Sequence, residues 1–109
     1  MKKEIVNYLL VCGIRPHIKG FNYLHRAIEM TMANDNVLPK VTKVLYPQIA
    51  KEFDDINGNV ERAIRHSIRT AKKDYKYMSN GEFIAKASLV ISLVGNKEWL
   101  WTKQNYNKK

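Results

Sequence analysis

Residues 60–73, with the sequence VERAIRHSIRTAKK, decide the fold of this chain, because they divide into two contrasting faces when wound as an α-helix. One face carries small and β-branched side chains, namely Val60, Ala63, Ile64, Ser67, Ile68 and Ala71. The opposite face is almost entirely basic and consists of Glu61, Arg62, Arg65, His66, Arg69, Lys72 and Lys73. The pattern predicts a helix that buries its apolar face in a core.

The basic face has two interpretations. Arginine presents a planar fork that fits the O6 and N7 atoms of guanine, and a carboxylate such as that of Glu61 can accept a hydrogen bond from cytosine N4. These groups are typical of a recognition helix in a DNA major groove. An ordinary amphipathic helix with a solvated charged face has the same pattern. The helix alone leaves both interpretations open.

The preceding residues favour the first interpretation. PQIAKEF at residues 47–53, a turn at residues 54–59 and the basic helix together form a helix-turn-helix pattern. Small Ala50 allows the two helices to cross closely, and Asp55 or Asn57 can cap the second helix. Nineteen Lys and Arg against ten Asp and Glu leave a net charge of +9, which favours a polyanionic partner. Double-stranded DNA is therefore the predicted partner.

The rest of the chain is also predicted to be helical. Apolar residues recur with helical spacing over residues 3–12, and again from Phe21 after a connector at residues 14–20. Residues 37–46 fit either a short helix or an extended turn. No run alternates apolar and polar residues as a half-buried strand does. We expect an all-α fold, a compact bundle of about six helices that contains the helix-turn-helix.

Residues 79–82, SNGE, form a capping box that opens a final helix, with Gly95-Asn96 as its predicted end. This places one DNA-binding domain at residues 1–96 and an aromatic, then basic, tail at residues 97–109. The tail contains Trp99 and Trp101. It is interpreted as a hydrophobic clasp packed on the domain, in preference to an interface for a partner or a second copy.

Catalysis finds little support in the sequence. The three histidines, His17, His25 and His66, lie on separate elements without paired carboxylates, so surface or phosphate-contacting roles are expected. Cys12 and these histidines lack zinc-ligand spacing, and no glycine-rich phosphate loop is present. We therefore expect a protein that is not an enzyme and has no metal and no cofactor.

Membrane insertion and export are not expected either. No apolar run reaches the roughly 20 residues that cross a bilayer, and Glu4 and Asn7 interrupt the short N-terminal apolar run. A cytoplasmic protein with no membrane partner is predicted.

Four blocks of the chain resemble a known family. IRPHIKGFNYLHRAI at 14–28, TKVLYPQIAKEF at 42–53, VERAIRH at 60–66 and NGEFIA at 80–85 are similar to the C-terminal DNA-binding effector domain of the stage-zero sporulation response regulator family. The resemblance covers about residues 3–94. It implies a six-helix domain that regulates transcription at TGTCGAA-type boxes, often as tandem copies, which allows a homodimer on such sites.

The resemblance also implies which residues meet DNA. Base contacts are expected from Glu61, Arg62, Arg65 and His66. Phosphate contacts are implied for His17, Lys19, Thr42 and Lys43, and the helix start near Asn59 adds N–H donors. Arg69, Lys72 and Lys73 are expected to hold phosphates as well.

Two departures from the family bear on regulation. The chain starts directly at the effector domain, so phosphorylation control through a receiver domain is expected to be absent unless a partner supplies it. The family's longer segment before the capping box helps contact the polymerase sigma subunit, and here it is cut to Asp74–Met78. Repression or competition for the same boxes is therefore favoured over activation. The alternative is a protein-interaction module that binds the full-length regulator or RNA polymerase and blocks it.

Overall fold

The computed structural model describes residues 2–34 and 41–107, apart from the side chains of residues 41, 42 and 95–107. Its elements are five α-helices and one π-helical segment: α1 (Lys3–Val11), α2 (Lys19–Ala33), the π-helical segment (Val41–Leu45), α3 (Tyr46–Glu52), α4 (Asn57–Arg69) and α5 (Asn80–Asn107). Neither described range contains a β-strand. The all-α prediction is confirmed.

The helix count differs from the prediction of about six. Val41–Leu45 runs directly into α3, so this part of the chain adds one continuous helical element and not two. Pro47 is the second residue of α3, and because Val41–Leu45 is itself helical, this proline lies within the continuous element and leaves one backbone carbonyl of the preceding turn without its N–H. Part of the ambiguous segment 37–46, namely residues 37–40, lies outside the described residues.

Helix α2 is central to the fold, since it packs against all four other α-helices. It contributes five buried apolar side chains to the core, Phe21, Tyr23, Leu24, Ala27 and Ile28, with Met30 and Met32 at the edge. Helix α5 supplies Phe83 and Ile84, both fully buried. Helix α4 packs on both of these helices, and α3 packs mainly on α4 and on the π-helical segment before it.

The contact between α2 and α4 is unusually close. The connector was predicted to continue to Gly20, but α2 already begins at Lys19, so Gly20 is helical. A Cβ at Gly20 would overlap the carbonyl oxygen of Ala63 and the Oγ of Ser67. This position therefore requires glycine, because any side chain would push the two helices apart.

Two predicted helix boundaries are confirmed in atomic detail. Gly13, with φ +91°, ends α1; its N–H donates to the carbonyl of Leu10 (3.0 Å), and the Ile14 N–H donates to that of Leu9 (3.0 Å). This is the Schellman arrangement that left-handed glycine permits. At the start of α5, the Glu82 N–H donates to Ser79 Oγ (3.2 Å), and the Ser79 N–H donates to Glu82 Oε1 (3.0 Å). The predicted capping box is therefore formed.

Helix α4 is shifted relative to the predicted range 60–73. It begins at Asn57, and neither Asp55 nor Asn57 provides a side-chain cap, so that prediction is wrong. It ends at Arg69, where the Thr70 hydroxyl donates to the carbonyl of Ser67 (2.6 Å) and competes with helix continuation. The Lys72 N–H then donates to the carbonyl of Cys12 (2.8 Å), which directs the chain toward the end of α1.

The predicted end of the last helix is also wrong. Helix α5 continues through Gly95 and Asn96 to Asn107. An interior glycine costs about 1 kcal/mol relative to alanine but does not prevent a helix, and no proline follows it. The interpretation of Trp99 and Trp101 as a clasp concerns side chains outside the described residues. None of the helices in the described ranges has the length and apolarity to cross a membrane.

Replacing Gly20 by alanine is expected to lower the free energy of unfolding by roughly 1–3 kcal/mol, because the new methyl group overlaps the α4 backbone. Urea unfolding followed by circular dichroism measures the change. Gly81→Ala is the control: a Cβ there meets nothing within 4 Å, so the variant should be neutral or stabilised by up to about 1 kcal/mol. A Gly20→Ala protein as stable as wild type would contradict the close crossing.

Candidate nucleic-acid interface

The two faces predicted for the basic helix are present in α4. Val60, Ile64, Ser67 and Ile68 are buried. The basic side chains of the opposite face are exposed to solvent: Arg62, Arg65, His66 and Arg69. Helix α3 packs against the buried side with Ile49 and Ala50. The basic face is therefore held outward by packing on the other side of the same helix.

Side chains on the exposed face are ordered by short-range contacts. Arg65 Nη1 donates to Glu61 Oε2 (2.9 Å), one turn earlier, and Arg62 Nη2 donates to Asn59 Oδ1 (2.6 Å). Both pairs are solvent-exposed, and exposed pairs of this kind contribute little to stability. The arginines can therefore exchange these partners for a ligand at small cost.

A polar cluster centred on Asp55 fixes the start of α4. Its carboxylate accepts hydrogen bonds from the Tyr23 hydroxyl (2.5 Å), Asn59 Nδ2 (2.9 Å) and the Ile56 N–H (2.8 Å). Lys19 Nζ lies 3.3 Å from the same carboxylate. Because α2 carries Lys19 and Tyr23, the cluster ties α2 to the first turn of α4. Asn59 then extends it to Arg62.

The cluster perturbs two titrating groups. The hydrogen bond from Tyr23, followed by those from Asn59 and the Ile56 N–H, holds the pKa of Asp55 well below its usual range. Burial raises the pKa of Tyr23 to about 12, and the hydrogen bond to Asp55 adds to the effect. Asp55 is therefore ionised and Tyr23 neutral throughout the physiological range. Sequence patterns could not pair Tyr23 with Asp55, because 32 residues separate them.

The structure places most of the predicted phosphate-contacting side chains in solvent. The exposed ones are His17, Lys19, Lys43, Asn59, Arg69, Lys72 and Lys73. Lys19, Asn59 and Arg62 are brought together around Asp55 at the start of α4. Lys43 precedes α3, and Lys72 and Lys73 follow the end of α4. The side chain of Thr42 lies outside the described residues.

One histidine was assigned wrongly. His17 and His66 are exposed as expected, but His25 is buried in α2, and its Nε2 accepts a hydrogen bond from the N–H of Lys2 (2.8 Å). Desolvation lowers the pKa of His25, which favours the neutral acceptor form. It serves the α1–α2 contact and is not at the surface. Within the described ranges, no group of three or more His, Cys, Asp or Glu side chains could hold a metal ion.

A comparison with known protein families finds a match over most of the chain. The family described as "Sporulation initiation factor Spo0A C terminal" matches residues 5–88. The match runs from α1 into the first turns of α5, and it includes α3, α4 and the polar cluster centred on Asp55. It therefore covers both the core and the exposed basic face.

Tyr23→Phe is expected to raise the pKa of Asp55 toward its usual value, because the largest cause of the lowered pKa is removed. A carboxyl group whose pKa is lowered on folding stabilises the fold at pH values above its unfolded-state pKa of ~3.9. This stabilisation is lost as the pH falls through the folded-state pKa. The variant should therefore be destabilised at pH 7, and its difference from wild type should narrow only as the pH falls below the usual carboxyl range toward the lowered pKa of Asp55. Carboxyl ¹³C NMR titration and urea unfolding over a descending pH series measure this.

The matched control is Tyr77→Phe, which removes the same hydroxyl from a side chain that is 82% exposed. It should leave the titration of Asp55 unchanged. An unaltered Asp55 titration in Tyr23→Phe would mean that the hydrogen bond between the two residues is absent in solution.

Proposed function

From its membership of the Spo0A C-terminal domain family, we propose that the chain regulates transcription by sequence-specific binding of duplex DNA. Members of this family are DNA-binding regulatory domains of sporulation and not enzymes. Helices α3 and α4 form the proposed helix-turn-helix. In such a pair the second helix enters the major groove, and the residues of its N-terminal part meet base edges.

The observation that carries this proposal is the orientation of α4. Its apolar side is closed by α2 and α3, so only the face with Arg62, Arg65 and His66 is presented outward. A net charge of +9 adds long-range attraction to a polyanion. Helix α4 is 13 residues long, about 20 Å at 1.5 Å per residue, which suits a major groove roughly 12 Å wide.

Base recognition is assigned to four side chains of α4. Arg62 and Arg65 would read guanines, Glu61 would accept from a cytosine amino group, and His66 lies beside them. In the free protein Arg62 is bonded to Asn59 and Arg65 to Glu61. Base binding would therefore replace existing hydrogen bonds of these two arginines.

Phosphate contacts are assigned to basic and polar side chains around α4. These are His17, Lys19, Thr42, Lys43, Asn59, Arg69, Lys72 and Lys73, and such contacts set orientation and affinity but not sequence. The target is a TGTCGAA-type box, with two copies on tandem sites. Because Asp74–Met78 is short, we favour repression or competition with the full-length regulator over activation through sigma. Action on chromosomal DNA implies a cytoplasmic location.

An alternative function is supported by a separate surface. Leu89 and Leu93 on α5 are 59% and 70% exposed, and because residues four apart lie on one face of a helix, they offer a partner adjoining apolar surface. The chain would then bind the full-length regulator or RNA polymerase and block it. A pull-down from purified components without DNA separates the two, because a pure competitor for DNA forms no such complex.

Arg62→Ala should weaken binding to the preferred duplex by roughly 1–3 kcal/mol and relax selectivity at one base pair, because a bidentate contact to guanine is lost. Fluorescence anisotropy with a TGTCGAA duplex and single-substitution variants measures both effects. Lys3→Ala, which removes one positive charge from α1, should retain the full selectivity. Unchanged affinity and preference in Arg62→Ala would show that α4 does not read bases.

Lys43→Ala should weaken the binding of specific and random duplexes alike and reduce the slope of log K against log salt by about one, because one phosphate contact and its released counterion are lost. Titrations between about 50 and 200 mM salt give the slope. A change confined to the preferred sequence would contradict the assignment of Lys43 to the phosphate backbone.

A further inference from the structure

A groove of about 650 Å³ lies beside the exposed face of α4. One wall is the side of α4 that carries Arg65 and Arg69, and the other is the turn at residues 76–79 with the first residues of α5. Arg65 belongs both to this wall and to the proposed base-reading face. The groove is therefore continuous with that face.

Buried hydrogen bonds fix the two walls relative to each other. Asn80 begins α5 and is 9% exposed. Its Nδ2 donates to the Tyr46 hydroxyl (2.9 Å) and to the backbone carbonyl of Glu61 (3.1 Å). One side chain thus joins α3, α4 and α5 at the floor of the groove. The backbone at the base of the groove is therefore fixed by the fold.

The charges that line the groove favour an anion. Both of its carboxylates are engaged: Glu61 pairs with Arg65, and Glu82 accepts from the Ser79 N–H. Arg69 and Lys76 have no carboxylate within ion-pair distance among the described side chains, and the Lys76 ammonium lies 5.2 Å from the centre of the Tyr77 ring. Two cations are therefore available to a ligand in the groove.

The start of α5 adds donors on the opposite wall. The capping box satisfies the N–H groups of Ser79 and Glu82, while those of Asn80 and Gly81 have no acceptor one turn earlier within the helix. Gly81 lines the groove, and a helix start favours negative charge. Tyr77 is 82% exposed at the rim and offers a hydroxyl. These are the donors that commonly hold phosphate oxygens.

We infer that this groove binds a backbone phosphate of the DNA duplex that flanks the bases read by α4, with Lys76, Arg69 and the start of α5 as its donors. The inference rests on the proposed function and extends the interface to a turn that follows α4. A backbone phosphate is favoured over an acidic peptide because the groove opens beside Arg65, where the duplex backbone passes when α4 occupies a major groove.

The experiment compares Lys76→Ala, Arg69→Ala and the control Lys86→Ala on a duplex that wild type prefers and on a random duplex. Lys86 has the same charge but lies over the Tyr75 ring, outside the groove lining. Lys76→Ala should weaken both duplexes about three- to tenfold near 0.15 M salt and reduce the salt slope by about one, with base preference unchanged. Lys86→Ala should keep the wild-type slope.

Modified duplexes locate the contact. Uncharged methylphosphonate placed at single positions outside the base-read box should weaken wild-type binding wherever a phosphate is contacted. At the phosphate held by the groove, the same substitution should weaken Lys76→Ala less than wild type, because one donor to that phosphate has already been removed. At the other positions the two proteins should lose binding equally. Thermal unfolding of each variant confirms that the fold is retained.

The possible outcomes test the groove assignment separately from the proposed DNA-binding function. Sequence-specific binding by wild type, together with equal slopes for Lys76→Ala and Lys86→Ala, overturns the groove assignment and leaves the proposed function intact. Absence of any duplex binding by wild type overturns both. Binding of a poly-glutamate peptide that depends on Lys76, with duplex binding independent of it, overturns the groove assignment in favour of an acidic peptide.

Discussion

The close approach of α2 and α4 at Gly20 is the constraint on which the rest of the structure depends. Backbone meets backbone there, since the space a Cβ would need is taken by Ala63 and Ser67. The Ser67 hydroxyl is buried at this crossing without a hydrogen-bond partner among the described residues, which carries a desolvation cost. Dense packing of Val60, Ile64 and Ile68 around it offsets that cost, because each is almost completely removed from water. Once this contact is made, the rotation of α4 about its own axis is set.

A second interaction sets where α4 begins. The apolar crossing fixes its axis and rotation, but the helix start has no side-chain cap. Asp55 instead ties the helix start to α2, because it binds Tyr23 on α2 and Asn59 in the first turn of α4 at once. A carboxylate that is 8% exposed and accepts several hydrogen bonds stays ionised, so it attracts the positive end of the helix dipole. The cluster also places Arg62, through Asn59, at the end of the helix that is proposed to reach bases.

The contacts on the exposed side of α4 are weaker than those on its buried side. Its contacts, Arg65 with Glu61 and Arg62 with Asn59, lie in water and are individually weak, so they order the side chains without committing them. The core contacts beneath cannot be exchanged, whereas these can. Exchangeable contacts of this kind suit the proposed function, in which the same donors meet different DNA sequences and bind most tightly to the one whose acceptors match them. The groove next to Arg65 adds cations whose partners, on our inference, come from the duplex backbone.

Much of this could be predicted from the sequence, because local periodicity and turn chemistry act over a few residues. The two faces of α4, the end of α1 at Gly13 and the capping box at Ser79 were all predicted correctly for that reason. The order of blocks from residue 14 to residue 85 also indicated the family, which the match over residues 5–88 confirms.

The tertiary structure decided what depends on distant neighbours. The Lys72 N–H binds the carbonyl of Cys12, so the helix predicted to reach residue 73 ends at Arg69. Gly20 lies inside α2 at its contact with α4 and not in a turn. The buried His25 accepts a hydrogen bond from the Lys2 N–H, and Asp55 accepts one from the Tyr23 hydroxyl. None of these pairs is close in sequence, and no local pattern encodes the distance between them. Local physics therefore determined which segments become helices and which face is basic, and packing between helices determined where each helix begins, ends and points.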